Sequence, residues 1–165
     1  LSQNTKSFLI TVVGPTAVGK TKLSVELAQH FKTEIISADS RQFYSEMRIG
    51  TARPSKAELA MAPHHFVAHI SIHQSFNSGQ FEEAALERIE KLHQKHSAVI
   101  MVGGSGLYLR AVTHGLDNPP ADESVRTELI SELAEKGIEA LQAELLERDP
   151  VSYQKIDLQN PQRLL

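Results

Sequence analysis

The chain has 165 residues, 41% of them apolar and 22% charged, with a formal net charge of −3, which is ordinary for a globular protein of one domain, or of one domain and part of another. Neither a general attraction to polyanions nor a membrane span is written into it, because the charge is slightly acidic and no apolar run is long enough. Cysteine is absent, which excludes disulfides and thiolate metal centres; with no signal-peptide h-region at the start, a cytoplasmic protein is the expectation.

Phe8 to Val13 is an apolar run that predicts a buried strand. It leads directly into Gly14-Pro15-Thr16-Ala17-Val18-Gly19-Lys20-Thr21, which has the spacing G-x-x-x-x-G-K-S/T of a phosphate-binding loop. The glycines let the backbone turn tightly and aim several N–H groups at one anion. The helix that follows, with Leu23, Leu27, Ala28 and Phe31 at helical spacing, adds its positive end. Lys20 supplies a point charge for phosphate oxygens, and the Thr21 hydroxyl suits Mg²⁺. A di- or triphosphate is the expected ligand, whether or not a nucleotide carries it.

Glu34 to Ala38 predicts a second strand, with Asp39 and Ser40 at its carboxyl end, where ligands bind in open α/β sheets. On position alone Asp39 is either a metal- or proton-handling carboxylate or a helix cap for Ser40 to Tyr44. Arg41 to Pro54 reads as a functional loop with one helical turn, and Lys56 to Met61 as a short helix closed by Pro63. Phe66 to Ile72 alternates enough to predict a strand. His64, His65, His69 and His73 crowd there, but the β-branched neighbours oppose a helical zinc motif, so strand-edge or loop histidines are expected.

Ser78 is the expected cap of a helix from Gly79 to Lys95, with Phe81, Ala85, Ile89 and Leu92 on its apolar face. Ala98 to Val102 is a third apolar strand. It runs into Gly103-Gly104-Ser105-Gly106 and a helix from Leu107 to Thr113, again a ligand-facing junction. The glycines there mean close backbone approach or only a tight turn. Gly103 stands where an ATPase would carry an acidic residue, which argues against ATP hydrolysis.

Leu116 to Asp122 is a composition break. Two parts result, a phosphate-binding α/β core with a mostly parallel sheet over residues 1–115 and the start of an all-helical insertion over 116–165. The first carries 12 basic and 9 acidic residues, the second 5 and 11, so a polyanion is expected to meet the first. In the second, Val125, Leu129 and Leu133 mark one helix stopped by Gly137, and Ile138, Leu141, Leu145 and Leu146 mark another. Asp149-Pro150 starts a third, reaching Ile156, and Asn160-Pro161 a fourth. A helix start so near Leu165 suggests a fragment of a longer chain.

Several of these stretches together resemble the tRNA dimethylallyltransferase (tRNA isopentenyltransferase) family: Gly14 to Thr21, Ser37-Ala38-Asp39-Ser40-Arg41-Gln42-Phe43-Tyr44, Ile49-Gly50-Thr51-Ala52-Arg53-Pro54, Pro63-His64-His65, Val102 to Tyr108, and Asp149-Pro150 with Asn160 to Leu164. Arg53 replaces a usual lysine and Ser105 a usual threonine. The resemblance implies a P-loop NTPase-like fold and prenyl transfer from dimethylallyl diphosphate to N6 of an adenine in the tRNA anticodon loop, with Mg²⁺. It implies that Gly14, Pro15, Thr16, Ala17, Val18, Gly19, Lys20 and Thr21 hold the diphosphate, with Thr21 on the metal and Thr16 near the bridging oxygen. Asp39 would take the proton from N6, and Ser40, Arg41, Gln42, Ser105, Gln162 and Arg163 would meet the tRNA. A monomer without membrane attachment is expected. The rivals are an adenylate prenyltransferase acting on a free nucleotide, a P-loop small-molecule kinase, and a fragment that binds diphosphate but is inactive alone.

Overall fold

The structure is a computed structural model that describes residues 6–116 and 122–165. The chain divides into two compact units, Leu1–Leu116 and Asp117–Leu165.

The first unit is built on four parallel strands, β1 (Phe8–Val13), β2 (Ile35–Ser37), β3 (His64–His65) and β4 (Ala98–Gly103), in the spatial order β1-β4-β2-β3. Parallel strands need long crossovers, and helices provide them: α1 (Lys20–Phe31) and the short α2 (Lys56–Met61) between β1 and β3, then α3 (Ser78–His93) before β4 and α4 (Gly106–His114) after it. The near-continuous apolar run of β4, buried at all but Val102, fits a strand covered on both faces. Alternation along the strands sorts the core into two clusters. Val12, Ile35 and Ile100 pack with Val25 and Ala28 of α1. Ile36, Val99 and Met101 pack with Phe81, Ala85, Ile89 and Leu92 of α3 and with Leu109 and Val112 of α4.

Phe43 sits at the middle of the second cluster, fully buried. Its ring stacks on Phe81 (centroids 5.3 Å apart) and meets Phe76, His69 and Tyr108 edge-on at 5.3, 5.6 and 5.5 Å. Burying such a ring contributes about 1.5–3 kcal/mol. Because Phe43 follows Asp39 to Gln42 directly, this anchor also fixes the turn at the end of β2.

Several local readings are corrected. Phe66 to Ile72 is not a strand: the ladder stops after His65, and Phe66 and Ala68 have φ of 60° and 52°. The segment folds back instead. Ala68 N–H donates to Gln42 O (2.8 Å) and His69 N–H to Phe43 O (2.9 Å), so it splints the turn after β2 while Phe66 reaches the aromatic cluster. Tertiary packing has overridden a local β pattern. Residues 39–44 form a turn, and Arg41 to Pro54 contains no helical turn. The cap of α3 is Asn77, not Ser78; its side chain accepts from Gln80 N–H while Gln80 Oε1 accepts from Asn77 N–H, a reciprocal capping box.

The second unit is helical: α5 (Glu123–Lys136), α6 (Ile138–Arg148), α7 (Pro150–Tyr153) and α8 (Pro161–Leu164). Asp122, Asp149 and Asn160 cap α5, α7 and α8 through their side chains, and Gly137, at φ 82°, ends α5. The third helix ends at Tyr153, short of the expected Ile156, where Lys155 N–H bonds to Ser152 O and tightens the chain into a turn. Gln142 of α6 donates to Leu158 O at 2.9 Å and holds the following turn against the helix. Among the described residues no helix is long and apolar enough to cross a membrane.

Candidate active site

The phosphate loop forms where β1 passes the chain to α1. Gly14 (φ 152°) and Gly19 (φ 96°) mark its two ends and Ala17 (φ 66°) turns its middle. A Cβ at Gly14 would come within 3.3 Å of Val18 Cγ1, so the loop closes tightly on itself there. Gly19 caps α1 without a side chain, which leaves the first-turn N–H groups to an anion. Lys20 Nζ donates to Pro15 O at 2.7 Å and so arches over the loop, where a phosphate would compete for it.

In front of this loop lies a cleft of about 250 Å³ that Thr16, Lys20, Thr21, Ser37, Asp39 and Gln42 help to line. A second cavity of about 280 Å³ is lined by Thr16, Asp39, Ser40, Arg41, Gly50, Thr51, Gly104 and Ser105. Thr16 and Asp39 belong to both. The phosphate side and the second cavity therefore meet at one hydroxyl and one carboxylate.

Asp39 is delivered by an unusually close strand crossing. Ala38 N–H donates to Val102 O at 2.7 Å, and a Cβ built on Gly103 would fall 2.2 Å from Ala38 O. Gly103 is thus needed for the approach of β2 to β4. One oxygen of Asp39 accepts from Arg41 N–H at 3.2 Å. Among the described residues no basic side chain pairs with it. Ser105 bridges to the same turn: its Oγ accepts from Ser40 N–H at 3.0 Å and lies 3.2 Å from Ser40 Oγ. Residues 65 positions apart are so brought together at one rim.

Gln42 has a different place from its neighbours. It is buried, its Oε1 accepts from Ser37 Oγ (3.1 Å), and its Nε2 donates to Thr51 O and Ala52 O (3.2 Å each). Its amide ties the loop around Thr51 to the end of β2, a task with no signature in the sequence. Gln162 and Arg163 lie exposed on α8 in the second unit, where Gln162 Oε1 accepts from Arg126 at 3.4 Å.

Sequence reasoning assigned no role to two groups on the first cleft. His64 Nδ1 lies 2.8 Å from Ala62 O, and its Nε2 is buried without a partner. Burial outweighs that backbone bond and lowers the pKa of the ring, favouring the neutral form, in which Nε2 is an acceptor. Glu58, also on the cleft, is held below the usual carboxylate range by the Ser55 hydroxyl and N–H of its capping box. The other histidines are placed by the fold: His65 Nε2 meets Glu34 at 2.5 Å, and His69 packs edge-on against Phe43, Phe66 and Phe76.

A parallel sheet with a glycine-bounded loop after β1, and with the ends of β2 and β4 converging on it, defines a P-loop NTPase-like α/β protein. The IPP transferase family model matches residues 42–165. The chain belongs to this family. It is 52% identical over 160 residues to the tRNA dimethylallyltransferase of Christiangramia forsetii, covering 96% of this chain and 53% of that protein. It is also 52% identical over 158 residues to the enzyme of the same name from Flavobacterium johnsoniae, covering 95% and 51%. The chain thus spans about half the length of the curated relatives it matches. Among solved structures, the Bacillus halodurans tRNA isopentenylpyrophosphate transferase is 39% identical with a TM-score of 0.65, over 96% of this chain and 53% of that one. A eukaryotic dimethylallyltransferase acting on tRNA is 29% identical with a TM-score of 0.79, over 96% and 40%.

Proposed function

We propose that the full-length protein carrying this chain transfers a dimethylallyl group from dimethylallyl diphosphate to N6 of adenosine 37 in tRNA and releases diphosphate. One observation carries the reading: two cavities, one along Lys20 and Thr21 of the phosphate loop and one along Ser40, Arg41 and Ser105, share Thr16 and Asp39. A group-transfer enzyme needs that plan, with donor and acceptor arriving from separate sides at one carboxylate. The similarity to enzymes named for dimethylallyl transfer to tRNA supports it.

The loop N–H groups and Lys20 bind the diphosphate and stabilise the charge that grows on it as the C–O bond breaks. Thr16 stands beside the bond that breaks. N6 attacks C1 of the dimethylallyl group; the electron pair of the broken bond leaves with diphosphate, and the N6 proton passes to Asp39. Mg²⁺ fits the donor set: Thr21 lines the cleft at the first turn of α1, and Mg²⁺ is held by few protein oxygens together with phosphate oxygens and water. When bound, the ion neutralises diphosphate charge. Ser40, Arg41 and Ser105 would stand along the flipped adenine, and Gln42 would act behind them by holding the Thr51 loop. Gln162 and Arg163 belong to the helical unit, which we assign to the start of a tRNA-binding insertion. Gly103 at the end of β4 provides no carboxylate there for ATP hydrolysis.

Calorimetry of the full-length enzyme with an unreactive dimethylallyl diphosphate analogue and Mg²⁺, against a non-hydrolysable ATP analogue, tests this. Preference for the prenyl analogue supports the reading; preference for ATP overturns it in favour of a kinase. Lys20→Ala should weaken analogue binding by about 10- to 100-fold, the loss of one charged hydrogen-bonding group. Unchanged binding in the variant would remove Lys20 from the donor site.

A further inference from the structure

We infer that Ile49 is a wedge that takes the place of the target base in the RNA stack, covering a neighbouring base when the adenine enters the second cavity. This rests on the tRNA-acceptor reading above and adds a positioning residue to it.

Ile49 is 94% exposed, the most exposed of the large apolar side chains among the described residues. Single exposed apolar residues are ordinary, but this one is presented on a closed loop. Thr51, itself buried, donates from Oγ1 to Met47 O at 3.1 Å and so joins the two feet of the loop from 47 to 51. The Gln42 amide holds Thr51 O and Ala52 O on one side. On the other, the Glu46 carboxylate accepts from Ser45 Oγ (2.9 Å), Ser71 Oγ (2.7 Å) and Ile72 N–H (3.2 Å). Arg48 N–H donates to Glu46 O at 3.0 Å, and the tip beyond it is Ile49 and Gly50, with Gly50 at φ 76°.

That tip stands at the mouth of the acceptor cavity, since Gly50 and Thr51, the two residues after Ile49, line it together with Asp39, Ser40, Arg41 and Ser105. A base drawn out of a stacked loop leaves a neighbour with an uncovered face. A β-branched side chain, stiff at χ1, covers that face at small entropic cost, as apolar wedges do between base steps. Arg41 and Arg48, both exposed, suit the flanking phosphates. The occupant is therefore a nucleobase next to the target, and further polypeptide of the full-length chain is the alternative that the test must separate.

The test uses full-length enzyme and an anticodon stem-loop in which 2-aminopurine replaces the target adenine, because its fluorescence rises on leaving the stack. Ile49→Ser should lose most of that rise and bind the stem-loop about tenfold more weakly, one stacking contact's worth. Donor affinity and thermal stability should match the wild type, and Ile49→Leu should restore the signal. An unchanged rise and RNA affinity in Ile49→Ser would overturn the inference. So would a fall in thermal stability with no selective loss for RNA, which would assign Ile49 to an intramolecular contact. Failure of the unsubstituted enzyme to prenylate the unmodified stem-loop would overturn the acceptor reading itself.

Discussion

Asp39→Ala in the full-length enzyme is expected to lower kcat by about 10²–10⁴ while leaving donor affinity intact. An exocyclic amine is a poor nucleophile and must lose its proton as the N–C bond forms. Asp39 is the carboxylate at the junction of the two cavities, oriented by Arg41 N–H and paired with no cation among the described residues. The phosphate loop and Lys20, proposed above to hold the donor, are untouched by the change. Calorimetry with the donor analogue and steady-state rates with tRNA separate the two quantities. Asp39→Asn is the sharper companion, since it keeps the shape and the acceptor oxygen for Arg41 but cannot take a proton. Wild-type turnover in either variant would mean that the proton leaves by another route.

Gly103→Ala, at the edge of the first cleft, should be nearly as damaging through the backbone of β2. The added Cβ would lie 2.2 Å from Ala38 O and 2.6 Å from Ala38 C. Both atoms are backbone, so no side chain can swing aside, and the end of β2 has to move away from β4. Overpacking of this kind costs about 1–3 kcal/mol, and it would show as a lower denaturation midpoint with an unchanged m-value. The displacement falls on the residue before Asp39. A misplacement of about 1 Å in a reacting group can cost about 10²-fold in rate, so kcat should fall well beyond what the lost stability explains. A variant with wild-type stability and rate would show that the β2–β4 crossing tolerates the methyl group.

The phosphate loop was legible because its chemistry is local: eight consecutive residues, a strand before and a helix after. The bounds of α2 were legible for the same reason, with Pro63 closing the short run from Lys56 to Met61. The glycines from Gly103 on left a close approach and a mere tight turn both open, because the partner of Gly103, Ala38, is set by which strands lie side by side. Strand order, β1-β4-β2-β3, is a long-range property that no local pattern encodes. The same holds for Gln42. A glutamine beside two rim residues reads as a third rim residue, and only its burial reveals that its amide is occupied by Ser37, Thr51 and Ala52. Phe66 to Ile72 misled for the opposite reason. Its alternation is real, but Phe66 gains more from the aromatic cluster than from a ladder, and the backbone adopts positive φ to reach it.

The position of Phe43 has a consequence for heat inactivation. Local opening is open to segments that carry few buried contacts, and the turn bearing Asp39 to Gln42 is not one of them, because it ends in a fully buried ring shared with Phe76, Phe81 and Tyr108. The turn that carries Asp39 thus has no melting point of its own. Activity lost on warming should track near-ultraviolet circular dichroism of the aromatic core, with no temperature range in which the fold persists and the carboxylate has already drifted out of place.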